Sequence, residues 1–127
     1  PGGGVALLRL SSLLKDSEFE GEEKTAVKIV ARALEAPIRQ IAQNAGIDGA
    51  VVAQKVKEGK GGFGFNAGKM KYEDLLEAGI VDPAKVVRSA LQNASSAASM
   101  LLTTECVVTD KPEEKEKQAP PAPQMPY

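Results

Sequence analysis

The sequence predicts a mainly α fold, a helical bundle carrying a small β-hairpin and a C-terminal strand. Three observations lead there. Ala, Val and Leu dominate an apolar share of 43%, while Trp is absent and aromatics reach only 4%, too little for a typical sheet sandwich. Apolar residues recur at three- and four-residue spacing over most of the chain. The β-like stretches are short, one around Phe63 and Phe65 and one over residues 105–110. At 127 residues there is enough chain for one small domain with a core, and too little for two ordinary ones.

Taken in order, residues 4–15, "GVALLRLSSLLK", read as a helix with a broad apolar face. "DSEFEGEE" is acidic and contains Gly21, which predicts a solvated loop. From Lys24 to Ala45, the residues Val27, Ala31, Leu34, Ile38, Ile41 and Ala45 fall on one helical face, with Lys28, Arg32, Glu35 and Arg39 on the other. Glu35 and Arg39 form an i,i+4 pair of the favourable orientation, worth roughly 0.2–0.5 kcal/mol. Pro37 is expected to kink or divide this helix, since it lacks an amide hydrogen and clashes with the preceding turn, and Gly46 to stop it.

"GAVVAQKVKE", residues 49–58, predicts a short amphipathic helix. The glycines that follow, with Phe63 and Phe65 alternating, predict a loop leading into a strand or hairpin, and "YEDLLEAG" one or two helical turns closed by Gly79. Asp82-Pro83 reads as N-cap and first helical residue of a helix reaching about Leu102, with Val87, Leu91, Ala94, Ala98 and Leu101 facing inward. "ECVVTD", residues 105–110, is a β-branched strand without an obvious hairpin partner. The remainder, 111–127, is charged and then proline-rich, a composition of disorder.

Composition excludes several kinds of chemistry. Sixteen Lys and Arg against seventeen Asp and Glu give a net charge of −1, which by itself recruits neither nucleic acid nor an anionic membrane. No His occurs, which removes Ser-His-Asp and Cys-His nucleophiles, and one Cys excludes an internal disulfide and a zinc site of the usual ligands. Cys106 reads as a small apolar residue in a β-branched stretch. No apolar run approaches the length of a membrane span.

The glycine-rich centre imitates nucleotide motifs without satisfying them. Gly59 to Gly64 fits G-x-G-x-x-G, but a dinucleotide fingerprint needs a strand before it and a helix after it, and here that order is reversed. The Walker pattern fails as well: five residues separate Gly62 from Gly68, and Met70 stands where Ser or Thr should hold Mg²⁺.

Five segments in order carry more information than any one motif: "GGGVALLR", "ALEAPIRQIAQNAG", "GFGFNA", "AGIVDPAKVVRSALQNA" and "TTECVVTD". Together, from Gly2 to Pro112, they closely resemble the C-terminal part of group I (bacterial-type) chaperonins, the GroEL family. The resemblance implies that residues 1–110 are the C-terminal half of an equatorial, ATP-binding domain and that 111–127 are its tail. It implies ATP as cofactor, with Mg and K ions in the longer parent held mostly by residues outside this chain. It further implies identical subunits in seven-membered double rings, a co-chaperonin lid, unfolded proteins as substrates, a stress-response role and a bacterial cytoplasmic setting, with an organelle matrix as the alternative. Neither nucleic acid nor membrane is an expected partner.

Position by position, the resemblance makes Gly3 the residue whose backbone lies against the ribose, where only a residue without Cβ permits the approach. Asn66 and Ala67 match the adenine pocket, with Gly68 where Ala is usual in the family, a change expected to loosen the pocket slightly. Ile80 matches an apolar residue packing on the base, and Asp82 the carboxylate that bonds the ribose hydroxyls. The family's phosphate-binding Gly-Asp-Gly-Thr segment and its catalytic aspartates do not occur here. Pro1 is therefore expected to be an internal cut point, and the chain to lack ATPase activity on its own. The "ECVVTD" strand is expected to pair with a neighbouring subunit, and the tail departs from the family's Gly-Gly-Met repeats. The rival reading is a stand-alone helical interaction module, which a start codon just before Pro1 would favour.

Overall fold

The computed structural model describes residues 1–15 and 19–111. Helix α1 (Val5–Lys15) buries Val5, Leu8 and Ser11 completely, and the Ser11 hydroxyl donates to the Leu8 carbonyl at 2.8 Å. The intrahelical bond lets a polar side chain sit in the core without an unsatisfied donor. Helix α2 (Gly21–Leu34) starts three residues before the expected Lys24, because Glu22 and Glu23 in its first turn complement the positive end of the helix dipole. Part of the acidic stretch read as a loop is thus helical, and residues 16–18 of it lie outside the described residues.

Pro37 divides the long helix as expected: α2 ends at Leu34 and α3 (Ala36–Asn44) begins with Pro37 in its first turn. The division shifts the phase of the apolar stripe. Ala31, Leu34 and Ile38 are buried as predicted, whereas Ile41 and Ala45 are only half-buried and Ala42 takes the core position. Glu35, assigned to the polar face, is instead buried at the joint, where Arg39 Nη2 donates to it at 2.9 Å and Lys57 Nζ also donates. Gly46, at φ +81°, stops α3 in a Schellman closure: Gly46 N–H donates to Gln43 and Ile47 N–H to Ala42, both at 2.9 Å.

Helix α4 (Gly49–Glu58) is capped by Asp48, whose Oδ1 accepts from Ala50 N–H at 2.7 Å. The hairpin follows, with β1 (Phe63–Asn66) antiparallel to β2 (Lys71–Asp74) and Phe65 directly opposite Tyr72. Their rings lie 5.2 Å apart, and Lys55 Nζ sits 4.1 Å above Tyr72. These cross-strand and cation–π contacts draw residues 72–74, expected to be helical, into the strand. The rest of that segment keeps one helical turn closed by Gly79, at φ +73°. Val5, Leu8, Ile38, Ala42, Val52, Ala53, Val56, Phe65 and Leu75 form one core fed by α1, α3, α4 and the hairpin.

The chain divides into two compact units, Pro1–Leu91 and the residues from Gln92 on. Helix α5 (Ala84–Thr103) begins in the first and continues in the second. Its expected inward face is not buried: Val87 is half-buried, and Leu91, Ala94, Ala98 and Leu101 are exposed. Helical spacing predicts an apolar stripe, but the stripe is buried only if another element packs over it. The C-terminal strand does not form either, because residues 104–110 have no regular structure. A strand needs a ladder partner, and the hairpin is the only paired sheet among the described residues. The tail expected to be disordered lies, from Pro112 on, outside the described residues.

Candidate functional site

The site is built by the turn after the hairpin. Leu75 N–H donates to the Gly62 carbonyl at 2.9 Å, fixing the end of β2, and Asp74 Oδ1 accepts from Leu76 N–H at 2.8 Å. A second Schellman closure follows, with Gly79 N–H on Leu76 at 3.1 Å and Ile80 N–H on Leu75 at 2.7 Å. This reverses the chain so that the Ile80 carbonyl accepts from Gly2 N–H at 2.9 Å. The glycine triplet and the Ile80–Asp82 segment, nearly eighty residues apart in sequence, are thereby joined backbone to backbone.

The triplet is glycine for reasons of space and conformation. A Cβ on Gly2 would stand 3.2 Å from Asp82 Oδ1 and from Ile80 Cγ2. Gly3 has φ +65°, and a Cβ there would meet Leu75 Cδ1 at 3.1 Å. Gly4 has φ +77° and its Cβ would lie 2.7 Å from the Ile38 amide nitrogen, so the start of α1 packs on the first turn of α3 through bare backbone. What remains beside Asp82 is a surface of main-chain atoms with one carboxylate at its rim.

Asp82 is exposed and makes no hydrogen bond or ion pair among the described residues. The expected cap is not made by its side chain: α5 begins at Ala84, and the Pro83 carbonyl accepts from Val86 and Val87 at 3.0 and 3.2 Å. Pro83 therefore occupies the N-cap position, and both Asp82 oxygens stay free to accept. Ile80 is half-buried against the core, as is Ala67.

Asn66 is more constrained. It is buried, its Nδ2 donates to Glu73 Oε1 at 2.6 Å, and its Oδ1 accepts from Lys69 N–H at 3.1 Å. Its amide is thus engaged in closing the hairpin turn. Glu73 in turn is held below the usual carboxylate range, chiefly by the hydrogen bond from Lys71 and next by that from Asn66. Gly68 is exposed in the turn, and a Cβ there would meet only Asn66 Oδ1 at 3.5 Å, an ordinary contact.

Of the six residues singled out from the sequence, Gly3, Ile80 and Asp82 border the same turn, and Asn66, Ala67 and Gly68 continue from β1 on the hairpin side. Sequence reasoning missed Gly2, which is the member of the triplet against Asp82 and Ile80, and Leu75, which packs under Gly3. Three identical residues in a row give no signal for which one faces what. Among the described residues no cluster of three or more acidic, Cys or His side chains suits a metal ion.

Two comparisons bear on this arrangement. Over 81% of its length the chain superposes on the open-state monomer of a group II chaperonin from Methanococcoides burtonii, with a TM-score of 0.75 and 28% sequence identity. It spans 27% of that structure's own length. The TCP-1/cpn60 chaperonin family matches residues 1–112, a stretch that contains the glycine triplet, the hairpin and Asp82 together. On that match, the chain belongs to the TCP-1/cpn60 chaperonin family.

Proposed function

We propose that this chain supplies the nucleoside side of the ATP site, and subunit contacts, in a group I chaperonin that encloses non-native proteins and assists their folding. In this reading residues 1–110 are the C-terminal half of the equatorial domain. The observation that carries it is the unpartnered Asp82 carboxylate beside the bare backbone of Gly2. A ribose offers two neighbouring hydroxyls, and a carboxylate with two free oxygens accepts both. A backbone without Cβ lets the sugar approach closely, while Ile80 and Ala67 give a base an apolar surface. Asn66, engaged within the hairpin, contributes through its backbone and by fixing the turn at Gly68 rather than through its amide.

ATP, when bound, brings the phosphoanhydride bond, and the chemistry on it belongs to segments that are not among these 127 residues. No Gly-Asp-Gly-Thr sequence occurs here. The group I assignment rests on the five ordered sequence segments, and seven-membered double rings with a co-chaperonin follow from it. A bacterial cytoplasm or an organelle matrix goes with the same reading. Residues 105–110, which pair with no strand among the described residues, are read as a strand completed by a neighbouring subunit. A stand-alone interaction module is not favoured, because the family match runs from the glycine triplet to the end of the described residues.

Nucleotide titration tests the site. In the full polypeptide, Asp82→Ala is expected to weaken ATP binding by about tenfold or more, the worth of hydrogen bonds to a charged group. Unchanged affinity in that variant would overturn the assignment of Asp82. The 127-residue chain alone is expected to show no magnesium-dependent hydrolysis, and measurable turnover would contradict the division of labour. Electron microscopy of the assembled polypeptide tests the group: sevenfold rings agree with it, and eightfold rings refute group I while leaving family membership intact.

A further inference from the structure

A second polar feature of the first unit shares no residue with the Asp82 cleft. An open groove of about 690 Å³ is lined by Lys24, Lys28 and Arg32 of α2, Arg39 of α3 and Lys57 of α4, with Leu14, Phe19 and Val27 as its apolar walls. Glu35 is the sole carboxylate in the lining among the described residues, and it is buried and already accepts from Arg39 and Lys57. Among the described residues, five cations against one carboxylate give the lining an excess of four positive charges, in a chain whose net charge is −1.

Lys24, Lys28 and Arg32 form no ion pair or hydrogen bond among the described residues, and Glu20, Glu22 and Glu23 at the start of α2 form none with them. Spaced four apart, the three cations lie along one helix face, each about 6 Å from the next along the axis. Like charges at that spacing repel. A multiply charged anion relieves both repulsions at once. Arg32 adds a planar fork of donors that matches two oxygens of one phosphoryl group.

We propose that this groove binds a phosphate-chain anion, of the pyrophosphate and tripolyphosphate class, through Lys24, Lys28 and Arg32. Cations one turn apart select for chain length, since a single phosphate cannot span more than one gap and a chain of phosphoryl groups can. The affinity order is therefore tripolyphosphate above pyrophosphate above inorganic phosphate, steeply weakened by salt.

Calorimetric titration of the 127-residue chain with sodium tripolyphosphate, without magnesium, tests this. The double variant Lys28→Gln/Arg32→Gln is expected to lose at least tenfold in affinity. The double variant Lys60→Gln/Lys85→Gln, with the same charge removed elsewhere, is expected to bind as the parent does. Circular dichroism confirms that each variant keeps its helices; if the double variant unfolds, the exposed single substitution Lys24→Gln gives the same reading, with an expected loss of about threefold or more. No detectable binding overturns the proposal. So does an equal loss in the Lys60/Lys85 variant, which would mean diffuse attraction, or tripolyphosphate binding no tighter than phosphate. A polyglutamate peptide that displaces tripolyphosphate at lower concentration than pyrophosphate does would overturn it in favour of a protein-docking surface.

Discussion

Single glycines in this chain differ sharply in what they tolerate, and the backbone says which. Gly4 combines φ +77° with a Cβ position 2.7 Å from the Ile38 amide nitrogen. The conformation alone costs a non-glycine residue about 1–3 kcal/mol, and the close approach to α3 adds to it. Gly4→Ala is therefore expected to lower the unfolding free energy measured in urea by that amount or more, with Gly2 displaced from Ile80. Gly68 is the opposite case, with ordinary contact distance and no left-handed φ. Gly68→Ala is expected to leave stability unchanged or raise it by about 0.4–1 kcal/mol, through the smaller entropy of the unfolded chain. Thermal melts of the two variants side by side check both expectations. A destabilised Gly68→Ala would contradict the open space seen around that position.

At the scale of elements, the joint between α2 and α3 depends on one carboxylate. Pro37 breaks the helix, and Glu35 at the break is satisfied by cations from α3 and α4. Glu35→Gln leaves Arg39 and Lys57 without an anionic partner and is expected to cost about 1–3 kcal/mol, less than a fully dry pair because Arg39 retains access to water. Chemical denaturation of the variant measures it. The hairpin carries a pH dependence of defined sign. Glu73 has its pKa lowered in the folded state, so it binds its proton less readily there than in the unfolded chain. Its contribution is present above the ordinary carboxylate range and fades as pH falls through the lowered folded value. The stability difference between the parent and Glu73→Gln is thus expected to shrink on acidification from neutral pH. An unchanged difference in melting temperature across that range would remove Glu73 as the source.

For the molecule as a whole, the first unit buries an apolar core, and residues 92–111, the described part of the second, bury no side chain. Leu101, Leu102, Val107 and Val108 are each at least 70% exposed. Apolar surface of this kind, continued by a segment with unpaired backbone groups, drives association. The isolated chain is expected to self-associate with rising concentration, and Leu101→Lys/Leu102→Glu to reduce this without changing the melt of the first unit. Sedimentation velocity over a tenfold concentration range decides it. A strictly monomeric parent would show that residues 101–108 are protected in solution.

Local signals determined the boundaries that depend on near neighbours in sequence: Pro37 dividing a helix, Gly46 and Gly79 closing turns, and the Phe65 alternation that becomes β1. The same kind of reading failed for α5 and for residues 105–110, where helical spacing and β-branching are properties of a segment but burial and pairing are properties of its partner. Five short segments in order were enough to mark the chaperonin family, and group I within it stands as a proposal. Only the tertiary structure decided that Gly2, not Gly3, lies against Asp82, that Glu35 is buried, and that Asn66 is spent on its own hairpin. Each of these is a meeting of residues from elements distant in sequence, and its geometry arises only when α1 packs on α3 and the Gly79 turn returns the chain to the glycine triplet.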